Sequence, residues 1–251
     1  MFDSTHHQRF STAVPVRPSL PVAMGWRHVL FANWPVDPTV VAAHLPDWLT
    51  VDTHDGDAWL SVVPFTNVAV RPRGLPAGLG FDLPELNLRT YVTHDGRPGV
   101  YFFSLDADGS LGVAMARRFH HLPYYDADID MRVTGRAVRF ASRRRHPGER
   151  PATFAATYEP TGDRFGADPD SLAEFLTERY RYYTETPEGD RRYARIRHPR
   201  WPLYDAEVSI RENRLFETNG FDDPGSDPVH LYSPGVDVVA SGSRAVVEDG
   251  K

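Results

Sequence analysis

The sequence contains no cysteine and a single lysine, Lys251, which is the last of its 251 residues. Without cysteine the chain can form no disulfide, thiolate metal site or thiol nucleophile. Without an interior lysine, an imine-forming catalytic lysine is excluded from any interior site. The sequence also lacks an apolar run long enough to cross a bilayer and an apolar segment of the secretory type near residue 1. We therefore expect a cytoplasmic protein that does not bind membranes.

The charge balance argues against a nucleic-acid partner. The formal net charge is -6, whereas a protein that neutralises phosphate backbones carries a basic face. The basic run Arg143-Arg144-Arg145 is only local. A hydrophobic fraction of 41% and a charged fraction of 25% are ordinary for a globular protein, so the chain can bury a sizeable core.

Alternating apolar and polar residues predict strands over most of the chain. We expect a first hairpin that joins residues 49–52 to residues 58–65, and a second that joins Glu85–Thr93 to Gly99–Leu105 across Asp95-Gly96. Further strands are predicted near the C-terminal end, at residues 206–210, 236–239 and 244–247.

A third hairpin is predicted around a two-residue turn at Thr134-Gly135. In this register Ile129 lies opposite Phe140 on the apolar face, and Met131 lies opposite Val138. The other face sets Asp130 opposite Arg139, so both faces are chemically sensible at one register.

Helix signals are fewer. Asp37-Pro38 supplies an N-cap followed by proline at the first helical position, which predicts a short helix that ends at Pro46. Asp168-Pro169 opens a longer predicted helix, and residues 111–119 form a third helical segment. The longer helix carries an apolar stripe at helical spacing, formed by Leu172, Phe175, Leu176, Tyr180 and Tyr183.

Strands outnumber helices, and no linker rich in glycine or serine divides the chain. We therefore predict an α+β, mostly β fold, with a large curved antiparallel sheet or barrel and a few flanking helices. Residues 1–22 carry three prolines among polar residues without periodicity, which is typical of a surface arm or flexible tail. Residues 23–251 are predicted to form a single domain.

One strand carries an unusual polar face. Alternation along the second hairpin puts Leu86, Leu88 and Val92 on one face and the polar residues on the other. The partner strand is apolar on both faces over residues 100–105, which favours a sheet covered on both sides. The polar face can therefore line an enclosed cavity, or it can be an exposed or ion-paired face. Its members are Glu85, Asn87, Arg89 and Tyr91.

Three motifs resemble one protein family. They are Glu85-x-Asn87-x-Arg89-Thr90-Tyr91-Val92, Ala116-Arg117-Arg118-Phe119-x-x-Leu122-Pro123-Tyr124-Tyr125 and Phe31-x-Asn33-Trp34-Pro35-Val36. Together they resemble the YqjF-like uncharacterised proteins, the domain of unknown function 2071, from about residue 26 to residue 239. This family resembles acetoacetate decarboxylase distantly. The resemblance implies a curved antiparallel barrel or cone around a central cavity.

The resemblance also implies a site that has lost its nucleophile. Acetoacetate decarboxylase uses a Schiff-base lysine beside a second lysine, and the matching positions here are Tyr124 and Tyr125, which cannot form an imine. The cavity glutamate of the relative corresponds to Glu85, and a guanidinium near its N-terminus corresponds to Arg27. Arg117 and Arg118 of the second motif can point into the mouth of the cavity or pair with the aspartates of the next strand, and we include Arg118 among the candidate site residues.

Three functions fit these residues. The chain can bind a small polar or carboxylated molecule, with Arg27, Asn87, Arg89, Tyr91 and Arg118 as ligand-binding residues. It can instead be a non-covalent acid/base enzyme of the lyase or hydrolase type, with Glu85, Tyr124 and Tyr125 as catalytic residues. The third possible function is that of a structural or interaction protein, in which Glu85 pairs with Arg89 and the surface exposes an apolar patch.

No cofactor or metal ion is expected. The adjacent pair His120-His121 points its side chains in different directions, which disfavours a shared metal. The series Asp126-x-Asp128-x-Asp130 lacks the glycine and the terminal glutamate of a calcium loop and alternates as a strand does. The sequence contains no P-loop, nucleophile elbow or dinucleotide fingerprint, and it leaves the oligomeric state open.

Overall fold

The computed structural model describes residues 21–109 and 121–247, in which one sheet of thirteen strands dominates. The strands are β1 (Val22–Val36), β2 (Thr50–Val51), β3 (Ala58–Pro72), β4 (Phe81–His94), β5 (Arg97–Ala107), β6 (Tyr124–Thr134), β7 (Ala137–Arg144), β8 (Thr153–Phe165), β9 (Arg181–Glu185), β10 (Arg191–Arg197), β11 (Leu203–Asn213), β12 (Val229–Ala240) and β13 (Arg244–Ala245). Within the described residues, three short α-helices flank the sheet, namely α1 (Pro38–Ala42), α2 (Leu172–Thr177) and α3 (Leu215–Thr218), and Ala77–Leu79 forms a 3₁₀ turn.

The sheet is mainly antiparallel and strongly curved. Among the described strands, only the pairings of β5 with β6 and with β9 are parallel. Successive pairings lead from β4 through β5, β6, β7, β8, β11, β12, β1 and β3 back to β4, which we call the nine-strand circuit. A second path leads from β4 through β5, β9, β10, β12, β1 and β3 back to β4, and we call it the seven-strand circuit. The predicted fold class, mostly β with a large curved sheet, is confirmed.

Strand alternation divides the core between the two circuits. Leu30, Leu60 and Leu88 belong to one cluster, which packs inside the nine-strand circuit against buried residues of β7 and β8. Phe31 and Val63 belong to a second cluster, which includes residues of β12 and of the segment before β11. Strands β1, β3 and β4, which both circuits contain, are therefore covered on both faces, and the polar side chains that β4 carries there are buried or partly buried.

Of the predicted hairpins, the one formed by β4 and β5 is confirmed. The first predicted hairpin is wrong, because Thr50 and Val51 pair with β4 and not with β3. The third hairpin exists as β6 and β7, but its register differs by two residues: Met131, not Ile129, lies opposite Phe140. The reason is the turn, whose central residues are Gly135 and Arg136, with Gly135 at a φ of 63°.

The longer predicted helix is wrong at both ends, since helix α2 begins at Leu172 after the N-cap Ser171 and not at Asp168-Pro169. Helix α2 ends at Thr177, and Tyr182 and Tyr183 lie in strand β9, which pairs with β10. The start of the predicted helix after Asp37-Pro38 is confirmed, and the Asp37 side chain accepts a hydrogen bond from the Thr39 backbone N–H, but the helix ends at Ala42 and not at Pro46. No helix in the described part of the chain is long and apolar enough to cross a membrane.

The predicted strands at residues 206–210 and 236–239 are confirmed as parts of β11 and β12, and β13 lies within the predicted segment 244–247. Strand β1 begins at Val22, the last residue of the predicted N-terminal arm. Most of that arm, the helical segment 111–119 and the candidate residue Arg118 lie outside the described residues.

Candidate functional site

The polar face of β4 is buried inside the seven-strand circuit. Glu85 is 4% exposed, Asn87 3% and Tyr91 0%. Arg89 is partly buried between them. This face of β4 is therefore not a solvated surface, and its polar groups need partners inside the protein or from a ligand.

Glu85 is the centre of a hydrogen-bonded group. Its Oε2 accepts hydrogen bonds from the Tyr124 hydroxyl at 2.9 Å and from Asn67 Nδ2 at 3.1 Å. Asn87 Nδ2 lies 3.5 Å from its Oε1. Asn67 in turn accepts a hydrogen bond from the Trp26 indole at 2.9 Å. We call these five residues, Trp26, Asn67, Glu85, Asn87 and Tyr124, the Glu85 group.

Strand β5 lies between Glu85 and Tyr124. Glu85 pairs with Ala107, and Leu105, two residues earlier on β5, pairs with Tyr124 in the parallel ladder of β5 and β6. Tyr124 packs against a small cluster formed by Leu83 and Ala107. Because Ala107 has only a methyl group, the phenol can pass over it and reach the carboxylate.

Burial changes the proton affinity of Glu85. Removal from water raises its pKa to about 7, although the hydrogen bonds from Tyr124, Asn67 and Asn87 act in the opposite direction. Burial, and next to it the Glu85 carboxylate, raise the pKa of the Tyr124 phenol well above its ordinary value. The phenol therefore stays protonated and donates to Glu85, while the carboxyl exchanges a proton near neutral pH.

A second polar group lies further along the same face. The Tyr91 hydroxyl lies 2.8 Å from Ser61 Oγ and donates to the Leu176 carbonyl oxygen at 2.9 Å. Ser61 donates to Asn33 Oδ1 at 2.6 Å. The Leu176 carbonyl lies in the last turn of α2, where it has no partner within the helix, and Arg89 Nη2 also donates to it, at 3.0 Å.

Arg89 is the cation of this face. Its guanidinium lies over the rings of Phe31, at 5.4 Å, and Tyr91, at 5.6 Å. Its Nε is buried without a hydrogen-bond partner, and none of the ion pairs between described residues includes Arg89. In particular, Glu85 and Arg89 do not pair with each other, whereas the interpretation as a structural protein required that pair.

Aromatic rings pack beside Arg89 and the Glu85 group. Trp26 and Trp201 stack at 5.7 Å between ring centroids, and Phe31 meets Trp201 edge-on at 5.1 Å. Trp26 also contacts Phe65 and His198. Burial, and more weakly Arg89, lower the pKa of His198, so this imidazole is neutral at pH 7.

Four buried polar atoms, two on this face of β4, one on β3 and one on the segment before β11, have no hydrogen-bond partner in the described structure. They are Asn87 Oδ1, Arg89 Nε, Trp59 Nε1 and Trp201 Nε1. Because an unsatisfied buried polar group costs about 1–3 kcal/mol, such a set indicates places where a ligand or water binds. Three of the four are donors, which suits an acceptor such as a carboxylate.

Two predicted site residues lie elsewhere. Arg27 follows Trp26 on β1 and forms an ion pair of 2.6 Å with Asp237 at the surface, so it does not join the Glu85 group. Tyr125 points away from Tyr124, because neighbouring strand residues alternate, and its ring lies 4.0 Å from the Arg144 guanidinium. The structure thus brings together Glu85, Asn87, Arg89, Tyr91 and Tyr124 and separates Arg27 and Tyr125 from them.

Four residues of these polar groups were not predicted as site residues from the sequence, namely Asn33, Ser61, Asn67 and Trp26. The signal for β3 was present, because Ser61, Val63, Phe65 and Asn67 alternate and so share one face of the strand. Nothing local showed that this face lies beside Glu85. That relationship depends on the pairing of β3 with β4, in which Phe65 is opposite Glu85.

A separate concavity of about 450 Å³ lies against β8, β11 and β12, and its walls include His28, Arg136 and Tyr232. None of its lining residues belongs to the Glu85 group. Among the described residues, no group of three or more histidine, aspartate and glutamate side chains is arranged to hold a metal ion.

Solved structures with the same fold are acetoacetate decarboxylase-like proteins. Acetoacetate decarboxylase from Legionella pneumophila superposes with a TM-score of 0.60 and 12% identity, over 98% of this chain and 98% of that chain. The enduracididine biosynthesis enzyme MppR superposes with a TM-score of 0.64 and 12% identity, over 95% of this chain and 94% of that chain. The fold is therefore acetoacetate decarboxylase-like.

The chain belongs to the DUF2071 family, described as an uncharacterized conserved protein, and the match covers residues 23–237. A relative from Bacillus subtilis (strain 168), the uncharacterized protein YqjF, is 46% identical over 215 residues, which are 85% of this chain and 88% of the relative. The resemblance seen in the sequence motifs is confirmed.

Proposed function

We propose that this protein binds a small carboxylated molecule, without a covalent bond, on the buried polar face of β4. Arg89 pairs with the carboxylate, and the Glu85 group contacts the remaining polar atoms of the ligand. The absence of long apolar runs and the net charge of -6 fit a cytoplasmic location and no nucleic-acid partner.

The observation that carries this proposal is the state of Arg89. A partly buried guanidinium normally has a carboxylate partner, because removal of an isolated charge from water is costly. Here the described residues offer a carbonyl and two aromatic rings but no anion, and Nε is left without a partner. An anionic ligand supplies the missing interaction, and arginine binds carboxylates in a two-point geometry.

Two further observations support the proposal. The unsatisfied indole of Trp201 belongs to a ring that contacts Phe31, the same ring over which Arg89 lies, so both donors border one region. MppR, which has the same fold, has been solved in complex with pyruvate, a small carboxylate, and that structure covers 95% of this chain.

A second candidate function is non-covalent acid/base catalysis by Glu85. The observation that favours it is the buried carboxyl whose pKa is about 7, since a general acid or base works best when its pKa is near the working pH. Tyr124 would then orient the carboxyl through its hydrogen bond. In this case the bound carboxylate is also a substrate.

Titration calorimetry with pyruvate tests the proposal. We expect the wild type to bind in the micromolar to millimolar range, and Arg89→Gln to weaken binding by about tenfold or more, because it removes a charge-assisted pair. The matched control is Arg197→Gln, which removes one positive charge from an exposed position on β10 of the same circuit. The control should bind as the wild type does.

Turnover is measured separately, by proton NMR of pyruvate and other small keto acids incubated with the protein. Loss of substrate that Glu85→Gln abolishes at unchanged affinity supports the catalytic function, and binding without turnover supports a binding protein. If the wild type binds none of the keto acids, or if Arg89→Gln binds them equally well, the proposal is wrong. The interpretation as an interaction protein then gains weight, since Leu75 and Leu79 are exposed on the loop between β3 and β4 and Phe81 is exposed at the start of β4.

A further inference from the structure

The concavity of about 450 Å³ outside the Glu85 group has features of a second binding site. It lies beside the turn that joins β6 and β7, and residues of β1, β8, β11 and β12 complete its wall. Its volume falls within the range of small-molecule sites in proteins, about 300–1,000 Å³. Strand alternation separates the concavity from the Glu85 group, because its residue Tyr232 packs with the core cluster of Leu30 and Leu60 inside the nine-strand circuit.

His28 is held in the wall of this concavity by an unusual backbone. Its φ is 55°, in the left-handed region that a residue with a Cβ rarely adopts. The register of β1 with β3 shifts between Arg27 and Ala32, so His28 lies within an irregularity of the strand. Such irregularities redirect a side chain and are common beside binding sites.

Neighbouring tyrosines hold His28 in this conformation. The hydroxyl of Tyr158, which is 1% exposed, donates to the His28 carbonyl oxygen at 2.8 Å. The imidazole Nδ1 lies 3.1 Å from the Tyr232 hydroxyl. Two tyrosines thus fix both the backbone and the ring of one strained residue, and the strain persists only because of these contacts.

The charge of the concavity is positive. Arg136 and Arg164 line it, and Asp163 is the single acidic residue of the lining. Neither arginine takes part in an ion pair between described residues. The Arg136 guanidinium lies 6.0 Å from the centre of the Tyr204 ring, so a cation and an aromatic face stand side by side.

We infer that this concavity binds a second small molecule, one that carries an anionic group on a planar ring. Arg136 and Arg164 pair with the anion, and the Tyr204 ring together with the flat guanidinium of Arg136 stacks against the ligand ring. His28 and Tyr232 then hydrogen-bond a polar substituent of the ring. This site differs from the Glu85 group in place and in ligand class, and it does not depend on the function proposed above.

Titration calorimetry with 4-hydroxybenzoate tests the inference, because this compound combines a carboxylate, a planar ring and a hydroxyl. We expect saturable binding that Arg136→Gln weakens by about tenfold. Arg139→Gln is the matched control, since it removes the same charge from an exposed position on the adjoining strand β7. Its affinity should equal that of the wild type.

Two comparison compounds separate the parts of the ligand. Cyclohexanecarboxylate keeps the charge without a planar ring, and 4-methylphenol keeps the ring without the carboxylate, so both should bind more weakly than 4-hydroxybenzoate. The inference is overturned if 4-hydroxybenzoate does not bind at millimolar concentration, if Arg136→Gln and Arg139→Gln weaken binding equally, or if Arg89→Gln abolishes it. Circular dichroism melting curves show that each variant is folded.

Discussion

The phenol of Tyr124 donates a hydrogen bond of 2.9 Å to the carboxylate of Glu85 across the intervening strand β5. The phenol is uncharged, so the partner of Glu85 in this pair is neutral and not a cation. A neutral partner stabilises the carboxylate less than a cation does, and burial therefore dominates the pKa of Glu85.

Glu85→Gln should remove a pH-dependent cost to folding. The pKa of Glu85 is about 7 in the folded protein and 4.5 in its ordinary state, so the folded protein binds the proton more tightly. The proton on Glu85 therefore stabilises the folded state fully below pH 4.5, and this stabilisation is lost as the pH rises through 7. For a shift of this size, the free energy of unfolding falls by about 3 kcal/mol in total. At pH 8 we expect Glu85→Gln to be more stable than the wild type by about 1–3 kcal/mol.

Urea unfolding between pH 4.5 and pH 8 measures this difference. The two proteins should have similar free energies of unfolding at pH 4.5, and the gap should open as the pH rises. A gap that does not change with pH would show that Glu85 titrates normally.

Tyr124→Phe should raise the pKa of Glu85 further. The tyrosine hydroxyl is the strongest of the hydrogen bonds that lower this pKa, so its removal leaves the effect of burial less opposed. Carbon-13 NMR titration of the glutamate carboxyl signals measures the pKa, with Glu85→Gln used to assign the resonance. Tyr125→Phe is the control, since its ring lies against Arg144 on the other face, and an equal rise in both variants would contradict the assignment.

Borohydride reduction in the presence of pyruvate should leave no adduct on an interior peptide. Imine formation needs an amine, and the only lysine of the sequence is Lys251. Peptide mass spectrometry after the reaction locates any added mass. An adduct that maps to the segment from Leu122 to Tyr125 would overturn the proposal that the ligand binds without a covalent bond.

Asp106→Ala should destabilise the fold strongly. Asp106 Oδ1 and Arg144 Nε form an ion pair of 2.6 Å, with the side chains 1% and 3% exposed. Removal of the carboxylate leaves a buried guanidinium without its counter-ion, which costs about 3–5 kcal/mol. Asp128→Ala breaks the exposed pair with Arg145 and should cost less than about 1 kcal/mol. Equal losses in urea unfolding would contradict this difference.

Local signals predicted the local features well. The hairpin of β4 and β5 follows from Asp95-Gly96, whose two residues have φ values of 51° and 67°, as its tight turn requires. The helix after Asp37 follows from its N-cap and the proline behind it. The register of β6 and β7 was missed because the glycine was taken as the second turn residue, whereas Gly135 is the first.

The predictions from local pattern were wrong where pairing with a strand distant in the sequence decided the structure of a segment. Tyr180 and Tyr183 fit a helical stripe that begins at Leu172, but the pairing of Tyr182 and Tyr183 with β10 makes this segment a strand. The same holds for Thr50 and Val51, which add to the edge of β4 because that edge offers unpaired backbone groups. Apolar spacing in a short segment does not distinguish these outcomes.

The sequence by itself determined the family, the mostly β class, the lack of an interior nucleophilic lysine and the alternation that unites Glu85, Asn87, Arg89 and Tyr91 on one face of β4. These follow from residue types and from the two-residue period of a strand. Only the tertiary structure decided that this face is buried, that Tyr124 and not Tyr125 reaches Glu85, and that Arg27 lies apart with Asp237. The reason is that burial and contact across the sheet depend on which strands pair and on how the sheet curves, and both are set by contacts between residues far apart in the chain.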